Sequence, residues 1–587
     1  VIWISLSLAS DEWLNSVNML LYVFLYSAIL FICQGENQCC SFPCQNGGVC
    51  MPKGDDYRCD CTGLKFYGKN CDTSSFMNRV GNWFRPSPET QQNLLTNNKW
   101  IWNIVNSISG VRGRVMKAVL LARTKVIDSP PRYNSDYDYV TLDAATNRSY
   151  YMRVLPPVPR NCPKPVGVAG PKVMPDAGLV VDTLFRRKEF KPDKTGTSML
   201  LPFFAQHFTH MFFKTDFKRG PGFTWGGDGV DVSNIYGPNK QSENLLRSFK
   251  DGKLKSQIIN NEEWPPLVSD APVKMIYPKN TPEDQKFAVG HEFFGILPGL
   301  MTFATIWLRE HNRVCDVLKK EQPDWDDERL FQTTKLIILG EVIKIVIEDY
   351  VNHLAGYHFK LEFNPEVLFD TKFQYSNRIA AEFNHMYHWH PLIPDKFNIS
   401  GDIYPLKDLM YDNKKLVKTG MKGMVESLSR QRAGAITFRN QAESLLKVAE
   451  QNIKWGRQLR FQSFNQYRKL FNLEPYKSFK ELTGEDEISA ALQHFYKDVD
   501  AVEFYVGLIV EKHREKSMLP PTIIEFGAPF SLKGLMASPI CSPQQWKPST
   551  FGGDVGFNII KTATLKRLFC QNIKGECPLV SFRVPGF

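Results

Sequence analysis

EFNHMYHWHP, Glu382 to Pro391, packs three histidines, a tyrosine and a tryptophan into ten residues. AQHFTHMFF, Ala205 to Phe213, adds His207 and His210 among aromatics. A single histidine in an aromatic helix is more often a satisfied core residue than a ligand. Two such clusters in one chain raise the reading of a metal or haem centre, because neutral imidazole is the commonest protein ligand for iron. Spacing does not say which imidazole faces the metal. Tyr387 precedes His390 by three residues, so in a helical segment the two side chains share a face. A phenol held there could give an electron to an oxidised centre without any mobile group. Gln206 precedes His210 by four residues, one helical turn, and shares its face in the same way. HEFFG (291–295) starts like the zinc motif HExxH but lacks the second histidine, and is set aside.

Outward from these segments, the chain after about residue 122 has a mostly helical pattern, without βαβ rhythm, phosphate-binding glycine loop or zinc-type Cys/His pairing. Thr334–Val351 reads as a buried or amphipathic helix. Leu155–Pro175 is proline-rich and reads as an extended loop containing Cys162. The expected fold is mainly α, with a large catalytic domain at 122–587. Hydrophobic residues make up 43% and charged residues 23% of the 587, a globular balance. The net charge of +11 is spread thinly, with no Lys/Arg-rich run, so nucleic acid is not an expected partner.

Cysteine usage is uneven. Seven of thirteen lie between Cys39 and Cys71, which predicts a disulfide-stapled module over 36–72, folded in an oxidising compartment. The N-terminus agrees: Met19–Phe31 is a thirteen-residue apolar run, short for a span and suited to a signal peptide over 1–35. Met19 is the expected initiator, leaving residues 1–18 doubtful; a retained signal anchor is the competing reading. Between the module and the main body, 73–121, three apolar stripes recur at helical spacing. They are Phe76/Val80/Trp83/Phe84, Trp100/Ile101/Ile104/Val105/Ile108 with Trp102 at the edge, and Val111/Val115/Val119/Leu120. One such stripe would suggest packing on the core. Three in succession, with tryptophans and interspersed Arg and Lys, predict short amphipathic helices lying in one membrane leaflet. Asn147-Arg-Ser149 and Asn398-Ile-Ser400 are glycan acceptor sequons.

The segments AQHFTH (205–210), EFNHMYHWHP (382–391), GAPFSLKGLM (527–536) and WKPSTFGG (546–553) closely resemble the cyclooxygenases, the prostaglandin G/H synthase family within the animal haem peroxidases. The likeness runs from Cys39 onward in the family's order: an epidermal growth factor-like module, membrane-binding helices, a haem-peroxidase domain. It implies a bifunctional dioxygenase and peroxidase that converts an arachidonate-type fatty acid and O2 to prostaglandin G2 and then H2. Haem b, one per subunit, is the implied cofactor. His390 would be the proximal iron ligand. His210 would be the distal acid–base group toward a hydroperoxide, with Gln206 assisting, and Tyr387 the radical carrier. Arg123, with Tyr357 and Glu525, would hold the substrate carboxylate. Val351, Leu354, Phe383, Trp389, Ile524 and Leu535 would line the fatty-acid channel. Ser531 matches the serine that aspirin acetylates and would shape that channel. The implied disulfides are Cys39–Cys50, Cys44–Cys59 and Cys61–Cys71 in the module, Cys40–Cys162 tying it to the catalytic body, and Cys570–Cys577. Cys315 and Cys541 would be free, and Cys33 would leave with the signal peptide. The resemblance further implies a homodimer, monotopic on the lumenal endoplasmic reticulum or nuclear envelope membrane, with glycans at Asn147 and Asn398. The final Arg583–Phe587 (RVPGF) is not the KDEL-like signal of vertebrate members. Ile524 matches one vertebrate isoform type and Arg514 the other, so no isoform is assigned.

Overall fold

A computed structural model describes residues 37–76, 79, 86–124 and 126–587. The apolar run Met19–Phe31 and Val80, Trp83 and Phe84 of the first stripe lie outside them. Helices dominate, and the described strands pair only as two-stranded antiparallel ribbons. No helix among the described residues is long and apolar enough to cross a membrane. Contacts divide the chain into two compact units, one holding the described residues before Pro86 together with Val158–Val173, the other holding Pro86–Pro157 and Met174–Phe587.

In the first unit, β1 (Val49–Lys53) pairs antiparallel with β2 (Asp56–Asp60), placing Cys50 opposite Cys59. Gly54 turns the hairpin at φ +58°, where a side chain would be strained. Most side chains on these strands are exposed. So small a core needs covalent staples, and Cys39–Cys50, Cys44–Cys59 and Cys61–Cys71 supply them. Cys40–Cys162 also forms. Its far end lies in Val158–Val173, which belongs to the same unit as the module, so the bond is internal to that unit.

The second unit begins with α1 (Pro88–Asn97), α2 (Lys99–Ser107) and α3 (Ser109–Thr124). Trp100, Ile104, Ile108 and Val111 are exposed here, an apolar row that crosses the break between α2 and α3 at Ile108. Trp102 is not at the edge of that row. It is buried, donating from Nε1 to the Leu94 carbonyl (2.8 Å) and meeting Phe359 edge-on. The third stripe divides too, since Leu120 is fully buried while Val111 is exposed. Then follow α4 (Leu200–Thr209), the long buried α5 (Pro298–Glu321) and α6 (Asp327–Ile345). α6 continues into a π turn, Val346–Val351, so Thr334–Val351 is helical throughout with one widened turn. α5 packs against both α4 and α6. Cys570–Cys577 closes the tail, and Cys315 and Cys541 are free and buried. Burial pushes the Cys315 thiol up to about 12, which makes it unreactive.

The segment from Tyr387 to His390 departs from expectation. α7 (Ala381–Met386) ends before Tyr387, and a separate 3-10 turn, His390–Leu392, follows. Pro391 is the physical cause: it disfavours α geometry at His390 and removes a backbone donor. The two residues are therefore not neighbours on one helical face. α8 (Pro521–Met536) packs on both α3 and α7.

Candidate active site

α4 presents Gln206, and His210 caps its C-terminus. His210 donates from Nδ1 to the Gln206 carbonyl at 2.7 Å, since a carbonyl can only accept. The neutral ring therefore keeps Nε2 as a proton acceptor. Burial lowers its pKa to about 4, with Lys214 and His388 adding to the effect, so the base is uncharged at neutral pH. His207 on the same helix has a structural role, with its Nδ1 and its carbonyl both accepting from Asn234.

Burial likewise lowers His390 to about 3, helped by His388 and by His210, which lies close enough to contribute. The buried Nδ1 of His390 leans toward the His388 carbonyl without closing a hydrogen bond. His388 is committed differently: its Nδ1 donates to the His385 carbonyl (3.1 Å), and its own carbonyl accepts from Tyr505 (2.9 Å). His385 packs edge-on against Phe461 and Tyr505.

This constellation fits a haem better than a bare ion. No group of three His, Cys, Asp or Glu among the described residues could hold a metal. A macrocycle that brings four nitrogens of its own needs only one axial imidazole. His390 is neutral as ligation requires, and its buried Nδ1 has no protein partner.

Tyr387 sits in an aromatic cage. Its ring stacks on Trp389 (centroids 4.4 Å) and meets Phe383 edge-on (5.2 Å) and Phe213 at a tilt (5.3 Å). Burial raises the phenol pKa, while the nearby Tyr350 and Ser531 hydroxyls pull it back, so it stays protonated. The buried Tyr350 hydroxyl has no partner of sound geometry, which leaves it close to Tyr387 but uncommitted.

α8 joins this cage to a cation. Ile524, Ser531 and Leu535 are spaced by seven and four residues and so lie along one helical face. Glu525, one residue from that face, is ion-paired with Arg123 at the end of α3. Tyr357 lies within the field of both, its pKa pushed up to about 12 by burial and Glu525 against the pull of Arg123 and Arg514. Val351, Leu354, Phe383, Trp389, Ile524 and Leu535 are all buried, and Ser531 is half-buried. The sequence gives no sign of the buried pair Arg153–Glu382 that anchors α7; the partners lie 229 positions apart and no local pattern links them.

Comparisons with known proteins agree with this geometry. The family model described as animal haem peroxidase matches residues 228–577. The chain is 55% identical over 569 residues to prostaglandin G/H synthase 2 of Bos taurus, covering 96% of this chain and 94% of that one. It is 53% identical over 554 residues to prostaglandin G/H synthase 1 of Mus musculus, covering 94% and 92%. Among solved structures, the fatty acid alpha-dioxygenase of Oryza sativa superposes with a TM-score of 0.64 at 17% identity, over 85% of this chain and 94% of that one. Peroxidase A from Dictyostelium discoideum does so at 0.60 and 17%, over 74% and 94%. At such identity these two speak for the fold alone.

Proposed function

Because the chain belongs to the prostaglandin G/H synthases of the animal haem peroxidase family, we propose that Tyr387, His210, Gln206, His390 and Arg123 carry the family's two reactions here. The chain is an enzyme with dioxygenase and peroxidase activities in prostaglandin synthesis: it oxygenates a polyunsaturated fatty acid to prostaglandin G2 and reduces that to prostaglandin H2. It binds haem, proposed to be haem b, one per subunit.

When bound, haem would supply the two-electron reduction of a hydroperoxide and the oxidising power to draw an electron from a phenol. His390 would hold the iron. His210 takes the hydroperoxide proton on Nε2 and returns it to the departing oxygen, its Nδ1–H being already fixed by the Gln206 carbonyl. The Gln206 side chain would donate to the peroxide. Tyr387, buried and protonated, loses one electron and one proton to become a radical. It regains a hydrogen atom from a bis-allylic carbon, two O2 add in turn to the carbon radicals formed, and the final peroxyl radical takes a hydrogen atom back from Tyr387 to give the hydroperoxide. Arg123 would grip the carboxylate with its planar fork, Tyr357 and Glu525 flanking it. The Ser531 hydroxyl lies near Tyr387, with no histidine–carboxylate partnership among the described residues. It would shape the channel.

One observation carries this reading. A single helix, α8, which runs on through Pro529, touches both ends of the proposed path, with Glu525 on Arg123 and Ser531 near Tyr387. Six residues of helix separate them by about 9 Å along the axis, a span that an alkyl chain anchored by its carboxylate can cover. In the test, Tyr387→Phe in haem-loaded protein should abolish oxygen uptake on arachidonate and keep peroxidase turnover. Persisting oxygenation would overturn the radical role.

The proposal extends to the setting. The exposed row of Trp100, Ile104, Ile108 and Val111 supports monotopic binding to one membrane leaflet. The five disulfides support folding in an oxidising compartment, here proposed as the endoplasmic reticulum lumen and nuclear envelope. Asn398 is exposed on a two-stranded ribbon and Asn147 ends a short helix, both accessible positions for glycans. A homodimer is proposed from the family.

A further inference from the structure

His291, the first residue of the abandoned HEFFG motif, sits beside the distal base. Its ring meets that of His210 edge-on, with centroids 4.8 Å apart, and stacks on Phe294 at 4.9 Å. The Phe293 backbone N–H donates to His291 Nδ1 at 3.2 Å, so Nδ1 accepts and the ring proton of the neutral form sits on Nε2. That Nε2–H has no acceptor among the described residues. His210 has the opposite tautomer, with its proton on Nδ1 and a free lone pair on Nε2. The two imidazoles thus offer one acceptor and one donor side by side.

His291 also lines a cavity of about 290 Å³ with Lys214, Trp225, Val273, Lys274 and Glu292. Lys214 is buried, bonded from Nζ to the Ser233 hydroxyl and held over the Trp225 indole. Lys274 pairs with Glu292 (2.5 Å) and is itself largely exposed, which puts the pair at the cavity rim. A cavity whose inner polar groups are a cation and an N–H donor favours a group rich in acceptor lone pairs.

We propose that this cavity is an antechamber of the peroxidase centre and that His291, through Nε2–H, hydrogen-bonds the –OOH group of an organic hydroperoxide next to His210. The inference rests on the role given to His210 above. It adds a substrate-binding residue that the proton shuttle does not itself require. In peroxide reduction a donor at this position holds the hydroperoxide so that its proton faces the free Nε2 of His210. It contributes chiefly to binding, because His210 still moves the proton.

The test uses full-length haem-loaded protein, with a lipid hydroperoxide as substrate and cyanide as a small probe followed by the Soret shift. A net hydrogen bond of about 1–1.5 kcal/mol corresponds to roughly tenfold. His291→Phe, which cannot donate, should raise the hydroperoxide KM and the cyanide Kd about tenfold with kcat within about threefold. His291→Gln, which keeps an N–H, should recover most of both losses. His291→Leu serves in the same way if the phenylalanine variant does not load haem. Unchanged KM and cyanide Kd in the non-donating variant would overturn the proposal, as would a glutamine variant no better than it. Wild-type protein with a Soret band but no peroxidase turnover would instead sink the His210 reading, and this inference with it.

Discussion

Arg153→Met tests what holds the Tyr387 segment in place. Arg153 and Glu382 are both fully buried, and Glu382 lies in the first turn of α7. Arg153 donates from Nε to Glu382 Oε1 (2.9 Å) and from Nη1 to the Leu459 carbonyl (2.7 Å), over the Phe461 ring. The same carboxylate oxygen accepts from the Val154 N–H (3.3 Å) and the Tyr467 hydroxyl (3.2 Å). Arg153 Nη2 and Glu382 Oε2 remain buried without partners. Such a pair adds little net stability over an apolar replacement, but breaking it strands a charge at a cost of about 3–5 kcal/mol. The stranded carboxylate can escape only by taking a proton. For an ordinary glutamate that costs about 4 kcal/mol at pH 7 and about 1 kcal/mol at pH 5. The loss in Arg153→Met should therefore be about 3–4 kcal/mol at pH 7 and shrink toward 1 kcal/mol at pH 5. Arg153→Met with Glu382→Leu should return to within about 2 kcal/mol of wild type. Urea denaturation of the apo-protein at both pH values, followed by circular dichroism, gives these numbers, and haem titration by the Soret band reports whether His390 is still placed. A loss under about 1 kcal/mol at pH 7, or a double variant as unstable as the single one, would refute the reasoning.

Arg123→Gln should raise KM for arachidonate by roughly 10–100-fold, the worth of charge-assisted hydrogen bonds, and leave the hydroperoxide KM unchanged; steady-state oxygen uptake and peroxidase assays separate the two, and an unaltered arachidonate KM would remove Arg123 from the substrate site. Trp100→Glu with Ile104→Glu should release the protein from phosphatidylcholine liposomes in flotation without loss of the Soret band, and undiminished flotation would count against the exposed row as a membrane face. Burial holds His311 and His353 at about 4, against about 6.5 in an unfolded chain. Between those values the unfolded chain binds protons that the folded one refuses, so the apo-protein should lose up to about 3 kcal/mol per residue as pH falls from 6.5 to 4. Urea midpoints across that range check this, and replacing both residues by glutamine should lower the slope by their share, leaving the part contributed by the other buried histidines, His210 and His390 among them.

Local chemistry was legible in the sequence where one residue type carries it. The module's cysteine pairing and the free thiols at Cys315 and Cys541 stand in the structure where the resemblance put them. Periodicity misled where a neighbour intervened. Trp102 reads as interfacial, yet the Leu94 carbonyl accepts its indole N–H and draws it inward. The Tyr387–His390 spacing reads as helical, yet Pro391 ends that geometry. What holds the helix before Tyr387 is long-range: Arg153 paired with Glu382 on α7, and α8 packed across it. His291 was legible only as a failed zinc motif, because its partners, His210 and a cavity, are 81 or more positions away or depend on folding.

The widened turn at Val346–Val351 makes the length of that segment matter as much as its composition. Each residue added to or removed from a helix rotates everything beyond it by about 100°. Deleting one residue there would relax the turn to regular α geometry and improve its local hydrogen bonding. It would also swing either the approach from α6 or the following Asn352–Ala355 turn by that angle, carrying Tyr350 away from Tyr387 or Leu354 away from its buried site. The locally better helix would be the worse enzyme. Single-residue deletions through this turn should therefore be the least tolerated length changes in the helix.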